Sequence, residues 1–344
     1  MTSPALSPAA RRRRSRRLGL VVGCALLLFV IAASLAIGSR PVPLGVALDA
    51  LRSFDPTNDL HLVVRELRIP RTIVALLAGT ALGVAGAIMQ AVTRNPLAEP
   101  GLLGINAGAA VAVAVGVLVL GLTSMSQYVW LSFLGAGLAG TAVFILGQAH
   151  ETGTNPVRLV LAGAGLSVML ASITSMIILN APVTVLDDFR NWAAGSVEGR
   201  GYDVAAILAL SVGVGLVTGF SIAGNLNAMA LGEDLGRSLG VSRHRTWVLA
   251  CISVMLLAGS ATAGAGPIGF VGLVAPQVAR AVTGPDYRLI LPYSALFAAI
   301  LLLGADVIGR MIVPPAEIAA GIVAALIGGP FFVLIVRRFR LARL

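Results

Sequence analysis

The stretch Thr72–Val92 reads TIVALLAGTALGVAGAIMQAV and contains no charged side chain over its 21 residues. A helix that crosses a membrane needs about 20 consecutive apolar residues, because its backbone amides find no water in the hydrocarbon core. Arg71 lies directly before the stretch and Arg94 follows it closely. Charges that bracket an apolar run of this length predict a membrane-spanning helix.

The rest of the chain repeats this pattern. Of its 344 residues, 57% are hydrophobic and 12% are charged, whereas a soluble domain carries about 25% charged residues. This composition excludes a water-soluble globule and predicts an all-α, polytopic membrane protein with ten transmembrane helices. The predicted spans are Leu18–Ile37, Thr72–Val92, Ile105–Leu122, Tyr128–Gln148, Leu159–Asn180, Val204–Ile222, Trp247–Ala265, Ile268–Ala281, Leu289–Gly309 and Ile318–Val336.

The eighth predicted span is unlike the others. It contains Pro276 and follows the pair Gly266-Pro267. A proline inside a helix removes one hydrogen-bond donor and leaves a carbonyl without its partner. We therefore expect a short or broken helix whose freed carbonyl is buried in protein rather than exposed to lipid.

The two ends of the chain predict its orientation. Six arginines between Arg11 and Arg17 precede a first apolar run of 20 residues, which is too long for a cleavable signal with its core of about 7–15 residues. An uncleaved anchor with a cytoplasmic N-terminus is the better interpretation. Ten spans return the C-terminus, with four further arginines, to the cytoplasm. The predicted layout is a basic tail 1–17, one membrane domain 18–336 and a basic tail 337–344.

Several functional classes are disfavoured. All 25 basic residues are arginine, so the chain lacks the lysine that a P-loop needs and cannot be its own P-loop ATPase. The arginines cluster at the ends of apolar runs rather than along one face, which argues against nucleic-acid binding. Cys24 and Cys251 lie in apolar runs and are expected in the core. His61, His150 and His244 lie in loops, so no catalytic constellation indicates a membrane enzyme.

Arginines on the predicted outer side are unevenly placed, because five of the eight fall in one segment. Arg68 and Arg71 flank Ile69-Pro70 just before the second span. They either face an acidic partner outside the cell or reach up to lipid phosphates. The five clustered arginines are Arg40, Arg52, Arg65, Arg68 and Arg71.

Asp306 and Arg310 stand four residues apart on one helix face, where either a structural or a functional ion pair is expected.

The longest predicted inner loop, residues 225–245, carries a leucine every four residues at Leu231, Leu235 and Leu239. This spacing predicts a short helix with a narrow apolar stripe, ended by glycines on both sides. The stripe fits either a groove on a partner protein or the lipid interface. The neighbouring acidic pair Glu233-Asp234 disfavours anionic lipid and so favours a partner protein.

Together these segments resemble the FecCD-type membrane permeases of ABC importers, which take up ferric siderophores, haem and cobalamin. The resemblance covers nearly the whole chain and rests on many ordered matches. The segments that carry it are Leu67-Arg68-Ile69-Pro70-Arg71, Gly83 with Gly86 and Gln90, Arg94-Asn95-Pro96-Leu97-Ala98-Glu99-Pro100, the loop from Ala230 to Gly240, Gly269-Phe270-Val271-Gly272-Leu273, and Asp306 with Arg310.

The resemblance implies a dimer of ten-helix subunits, identical or paralogous, in the cytoplasmic membrane of a bacterium. It also implies two cytoplasmic ATPase subunits, which bind ATP and magnesium, and an extracytoplasmic substrate-binding protein. This chain would hold no cofactor and no metal of its own. A ferric siderophore is the expected cargo, with haem or cobalamin as alternatives.

Site residues follow from the same resemblance. Arg68, Arg71 and Arg310 match the basic residues that receive glutamates of the binding protein. Thr154 and Asn155 match, loosely, the cytoplasmic gate, and the fifth span is expected to line the pathway. The residues that match the coupling helix seated in the ATPase are Ala230, Leu231, Gly232, Glu233, Leu235, Gly236, Leu239 and Gly240.

Two positions depart from the family pattern. Gln277 stands where similar permeases commonly carry histidine, which removes a titrating side chain. The segment Glu317-Ile318-Ala319-Ala320-Gly321 lacks the usual proline before the last span.

An ion-coupled secondary transporter is the alternative from a different class. Such proteins carry carboxylates near the middle of the membrane, and Asp306 is the main candidate here.

Overall fold

The computed structural model describes residues 8–122, 125–147, 156–230, 232, 236, 238 and 240–341, and these residues form helices and connecting loops without strands. A π-helical turn Val63–Arg68 precedes α4, and a 3-10 turn Pro100–Leu103 precedes α5. The α-helices are α1 Pro8–Ala36, α2 Leu44–Arg52, α3 Asp59–Leu62, α4 Ile69–Thr93, α5 Ile105–Leu120, α6 Met125–Leu146, α7 Pro156–Leu179, α8 Val183–Ala193, α9 Tyr202–Ser221, α10 Ala223–Ala230, α11 Arg243–Ala265, α12 Val271–Thr283, α13 Tyr287–Ile312 and α14 Ala320–Leu341.

Each predicted span overlaps one helix of the fold, although the bounds of the span and of the helix differ by several residues. Seven helices are long and apolar enough to cross a membrane, and α5 and the Ala320–Leu334 part of α14 are shorter apolar helices. The all-α, multi-pass class is therefore confirmed, while the number of crossings stays a prediction. The helices that correspond to the ten spans are α1, α4, α5, α6, α7, α9, α11, α12, α13 and α14.

Helix α4 is the centre of the bundle and packs against α9, α11, α12 and α13. In its most apolar window 78% of the residues are buried, compared with 17% in α1 and in α7. Helix α7 instead leaves large apolar side chains such as Val168 and Met176 exposed. A helix with so little cover inside its own chain must meet lipid or another subunit.

Small residues allow α4 to touch its neighbours backbone to backbone. A Cβ atom added to Gly83 would lie 2.4 Å from the Ser294 carbonyl oxygen of α13. A Cβ atom on Gly86 would lie only 1.8 Å from the Gly272 carbonyl oxygen of α12. Membrane helices lack a hydrophobic driving force between them, so such close van der Waals contact supplies much of the association.

Helix α12 is the short helix expected from the sequence. Its 13 residues extend about 20 Å at 1.5 Å per residue, which is less than the hydrocarbon core. Pro276 lies inside it and removes the donor that would have bonded to the Gly272 carbonyl. That carbonyl packs against Gly86 of α4. The freed carbonyl is thus buried in protein, as predicted.

The two cysteines differ from each other. Cys251 on α11 is buried, as expected, whereas Cys24 on α1 is exposed. The expectation for Cys24 is wrong because the middle of α1 turns most of its surface away from the bundle. An apolar run in a membrane protein does not reveal whether its residues face protein or lipid.

The contact between α4 and α12 predicts the effect of one methyl group. We expect Gly86→Ala to destabilise the protein by about 1–3 kcal/mol, because the added carbon overlaps a backbone atom that cannot rotate away. Gly304→Ala on α13 is the matched control, since a Cβ there meets no atom within 4 Å. Thermal unfolding in detergent measures both variants. A melting temperature of Gly86→Ala equal to that of Gly304→Ala would contradict the packing described here.

Candidate functional site

An ion network lies where α1 and α13 end and α4 begins, which we call the distal end of the bundle. Asp306 forms an ion pair with Arg310 four residues later. It also accepts from Arg71, whose Nη2 lies 2.7 Å from Oδ1. The other terminal nitrogen of Arg71 lies 2.7 Å from a carboxylate oxygen of Glu317. The predicted pair of Asp306 and Arg310 is therefore part of a larger network.

Arg310 and a third arginine, Arg68, donate hydrogen bonds to carbonyls at the C-terminal end of α1. The last carbonyls of a helix have no partner within the helix, and arginine side chains can supply one. Arg310 Nη1 donates to the Ser34 carbonyl at 3.0 Å, and Arg68 Nη1 donates to the Leu35 carbonyl at 2.6 Å. Arg68 Nη2 donates to the Arg40 carbonyl. The network joins α1, α4 and α13.

The three arginines predicted to dock a partner are thus already engaged. Arg68 is 5% exposed and Arg310 is 3% exposed, while the side chain of Arg71 is 12% exposed. All three line a cavity of about 460 Å³ at the distal end. Glu317, noted in the sequence only as part of a departure from the family pattern, is an ion-pair partner of Arg71 that sequence reasoning missed.

Sequence reasoning also missed Arg200, which lies between α8 and α9 and lines the same cavity. It is 3% exposed and its Nη2 donates to the Ser196 carbonyl at 3.1 Å. Burial lowers the pKa of Arg200 to about 10, an effect that nearby Glu198 partly opposes. The only signal in the sequence was an arginine in a predicted outer loop.

A second polar cluster lies at the other end of α4, which we call the proximal end. Gln277 Nε2 donates to Gln90 Oε1 at 3.0 Å and to the Pro96 carbonyl at 2.6 Å. Gln90 Nε2 in turn donates to the Leu273 carbonyl at 3.3 Å. The amide of Gln277 therefore fixes the turn after α4 to α12. This is a structural role that needs no titrating side chain.

Glu99 connects the same turn to the start of α12. Its Oε1 accepts a hydrogen bond of 2.7 Å from the Phe270 backbone amide, and Phe270 has a left-handed φ of 65°. Burial raises the pKa of the Glu99 carboxyl, and the bond from Phe270 opposes that shift. The carboxylate holds a backbone conformation that a non-glycine residue adopts only under constraint.

Helix α10, which leads into the predicted coupling segment, is connected to three neighbouring elements. Asn227 Nδ2 donates to Asp286 Oδ1 at 2.6 Å, and the Tyr287 amide donates back to Asn227 Oδ1 at 2.7 Å. Asn225 bonds Thr246 of α11. The turn after α4 reaches α10 through Arg94, whose Nη2 donates to the Met229 carbonyl.

Only part of the predicted coupling segment lies within the described residues. Ala230 ends α10, and Gly232 and Gly240 have φ values of 118° and 78°. The Gly236 amide donates to the Gly232 carbonyl at 3.0 Å, which is one helical turn. Leu231, Glu233, Leu235 and Leu239 lie outside the described residues, and so do the predicted gate residues Thr154 and Asn155.

Within the described residues, no group of three or more His, Cys, Asp or Glu side chains is placed to hold a metal ion.

Comparisons with known proteins cover almost the whole chain. The model of the FecCD transport family matches residues 26–338. The chain is 41% identical to the ferric enterobactin transport system permease protein FepD of Escherichia coli, covering 91% of this chain and 93% of that protein. It is 38% identical to the probable siderophore transport system permease protein YfiZ of Bacillus subtilis, covering 95% and 98%.

A solved structure agrees with these relatives. It is described as an inward-facing, metal-chelate type ABC transporter, and it superposes with a TM-score of 0.80 at 26% identity, covering 93% of this chain and 98% of that one. The helical bundle, the distal arginines and the proximal cluster therefore belong to a multi-pass membrane protein of known type. The chain is a member of the FecCD transport family.

Proposed function

We propose that this chain is the membrane permease subunit of an ATP-driven importer of a ferric siderophore. The observation that carries the proposal is the similarity over residues 26–338 to a transport family whose members include permeases of enterobactin and iron-hydroxamate systems. Two permease subunits, identical or paralogous, enclose the pathway in the cytoplasmic membrane of a bacterium. The chain itself performs no bond chemistry, and the partner ATPases bind ATP and magnesium.

Coupling to the ATPase is proposed to run through α10 and the segment that follows it, from Ala230 to Gly240. Closure of the nucleotide-binding subunits moves this segment. The paired hydrogen bonds between Asn227 and the residues Asp286 and Tyr287 transfer the displacement to the first turn of α13. Because interfaces of this kind have two packed arrangements rather than a continuum, a small displacement can switch which side of the pathway is open.

Docking of an extracytoplasmic binding protein is proposed at the distal end, around Arg68, Arg71 and Arg310. Positive potential at this surface would attract glutamates on the binding protein and guide their approach. These arginines bond to groups of the same chain, which supports a role in positioning the residues of the docking surface. Arg71 has the largest exposed fraction of the three.

Replacement of Arg68 and Arg71 by glutamate tests this docking. We expect the double variant to lose uptake, because two carboxylates beside Asp306 and Glu317 repel an acidic partner. Labelled ferric siderophore uptake by cells is the measurement. Arg52→Glu is the matched control, since Arg52 is an exposed arginine of α2 on the same side. The milder Arg71→Lys variant, which keeps the charge, covers the case in which the double variant does not fold. Normal uptake by a folded double variant would refute the assignment.

Asn227 tests the coupling path. Asn227→Ala removes both hydrogen bonds to the first turn of α13, so we expect fewer siderophore molecules imported per ATP hydrolysed while the protein stays folded. Purified transporter in vesicles allows both rates to be measured together. Asn180→Ala is the control, because among the described residues the side chain of Asn180, just after the end of α7, bonds to the Met176 carbonyl one turn earlier and to no other helix. An unchanged transport-to-hydrolysis ratio in Asn227→Ala would exclude this path.

The energy source separates this proposal from an ion-coupled secondary transporter. Asp306, the main candidate carboxylate, forms ion pairs with Arg71 and Arg310. This pairing supports a structural role for Asp306 rather than proton or sodium binding. We expect uptake to stop when cytosolic ATP is depleted and to persist when the proton gradient is collapsed. The opposite pattern would favour the secondary transporter.

A further inference from the structure

Helix α1 turns one face toward the bundle at the proximal end. Arg16 Nε donates to the carbonyl of Thr283, the last residue of α12, at 3.0 Å, and the Tyr293 hydroxyl of α13 donates to the Arg16 carbonyl at 2.6 Å. Gly19 continues this face, since a Cβ atom there would lie 2.5 Å from the Val282 side chain. This part of α1 is therefore fixed to α12 and α13.

The opposite face of the same turns carries three exposed arginines, Arg13, Arg14 and Arg17. At 3.6 residues per turn they fall on the side of the helix that is turned away from Gly19. Within the described residues no carboxylate forms an ion pair with any of them. Like charges one helical turn apart repel each other. An anion that neutralises the three guanidinium groups therefore stabilises this end of α1.

Apolar side chains extend the arginine face along the helix. Leu18 and Val21 are 60% and 66% exposed, and together with the three arginines they line an open cleft of about 480 Å³. No charged residue follows Arg17 before the end of α1 at Ala36. Arginines at the end of a membrane helix lie at the level of the lipid headgroups. The cleft thus spans the boundary between headgroups and acyl chains.

We propose that this cleft binds one anionic phospholipid, with its phosphate between Arg13, Arg14 and Arg17 and one acyl chain along Leu18 and Val21. Guanidinium groups match phosphate oxygens in geometry and in charge. Basic pockets beside membrane helices recognise anionic headgroups in this way. The inference goes beyond the proposed function and does not depend on it, because it needs only that the chain spans a membrane.

The apolar half of the cleft favours a lipid over other anions. A free phosphate ion would leave Leu18 and Val21 without an apolar partner. An acidic protein surface would have to follow α1 into the hydrocarbon core in order to cover them. Ala25 and Leu28 continue the same face and are also exposed, so an acyl chain meets apolar side chains along its length.

Native mass spectrometry of the purified full-length chain in a neutral detergent tests the site. The probes are phosphatidylglycerol, phosphatidylcholine with the same acyl chains, and glycerol 3-phosphate, which has the phosphate without acyl chains. We expect the first phosphatidylglycerol molecule to bind at least about tenfold more tightly than phosphatidylcholine, and glycerol 3-phosphate not to bind saturably. Equal affinity for the two lipids would overturn the proposal in favour of an acidic partner protein. Equal affinity for glycerol 3-phosphate and phosphatidylglycerol would overturn it in favour of a free phosphate.

Two neighbouring arginines test which face of α1 binds the lipid. Arg17→Gln should weaken phosphatidylglycerol binding about fivefold, the effect typical of one basic residue near an anionic membrane surface. The triple variant Arg13→Gln, Arg14→Gln, Arg17→Gln should weaken it about a hundredfold, if the three effects are additive. Arg16→Gln is the matched control, because it removes the same charge from the face that packs on α12.

The control should keep its affinity within about twofold of the wild type, since Arg16 does not line the cleft and acts on the lipid only through screened long-range charge. Equal losses in Arg16→Gln and Arg17→Gln would overturn the site, because they would reveal a general attraction to a basic tail. The two single variants carry the test if the triple variant does not fold.

Discussion

Contact between the backbones of α4 and its neighbours is the constraint on which the rest of the structure depends. Gly83 meets the Ser294 carbonyl and Gly86 meets the Gly272 carbonyl at distances that leave no room for a methyl group. In a membrane, dispersion at such short range replaces the hydrophobic effect that assembles soluble cores. The position of α12, and with it the proximal polar cluster, follows from this contact.

The distal network solves a different problem, which is how to keep charges at the margin of an apolar bundle. A buried ion pair is stable only when its geometry is good and its remaining donors and acceptors are satisfied. Asp306 is 1% exposed and is shared by two arginines, one of which also pairs with Glu317. Terminal nitrogens of Arg68 and Arg310 reach α1 carbonyls that have no partner within the helix, whereas Arg310 Nε has no hydrogen-bond partner among the described residues. Charge compensation and helix capping are achieved by the same side chains.

The sequence predicted the fold more completely than it predicted the site. Apolar run length located ten helices, and Pro276 indicated that the eighth would be short, because both signals are local in the chain. The pair of Asp306 and Arg310 was also predictable, since four residues form one helical turn. The contacts of Arg71 with Asp306 and Glu317 join residues more than 200 positions apart. No local periodicity encodes such contacts, and the burial of Arg200 is equally unpredictable without the fold.

The two ends of the bundle are connected by continuous helices rather than by loops. Asp286, the N-cap residue of α13, bonds Asn227 of α10, and Arg310 in the last turn of α13 belongs to the distal network. Its 26 residues extend about 39 Å at 1.5 Å per residue. Helix α4 runs beside it in the opposite direction, from Arg71 in the same network to the turn that bonds α10 through Arg94. Since these two helices are in backbone contact, the proposed coupling path predicts that a displacement of α10 moves them together and reaches the distal end through continuous helix.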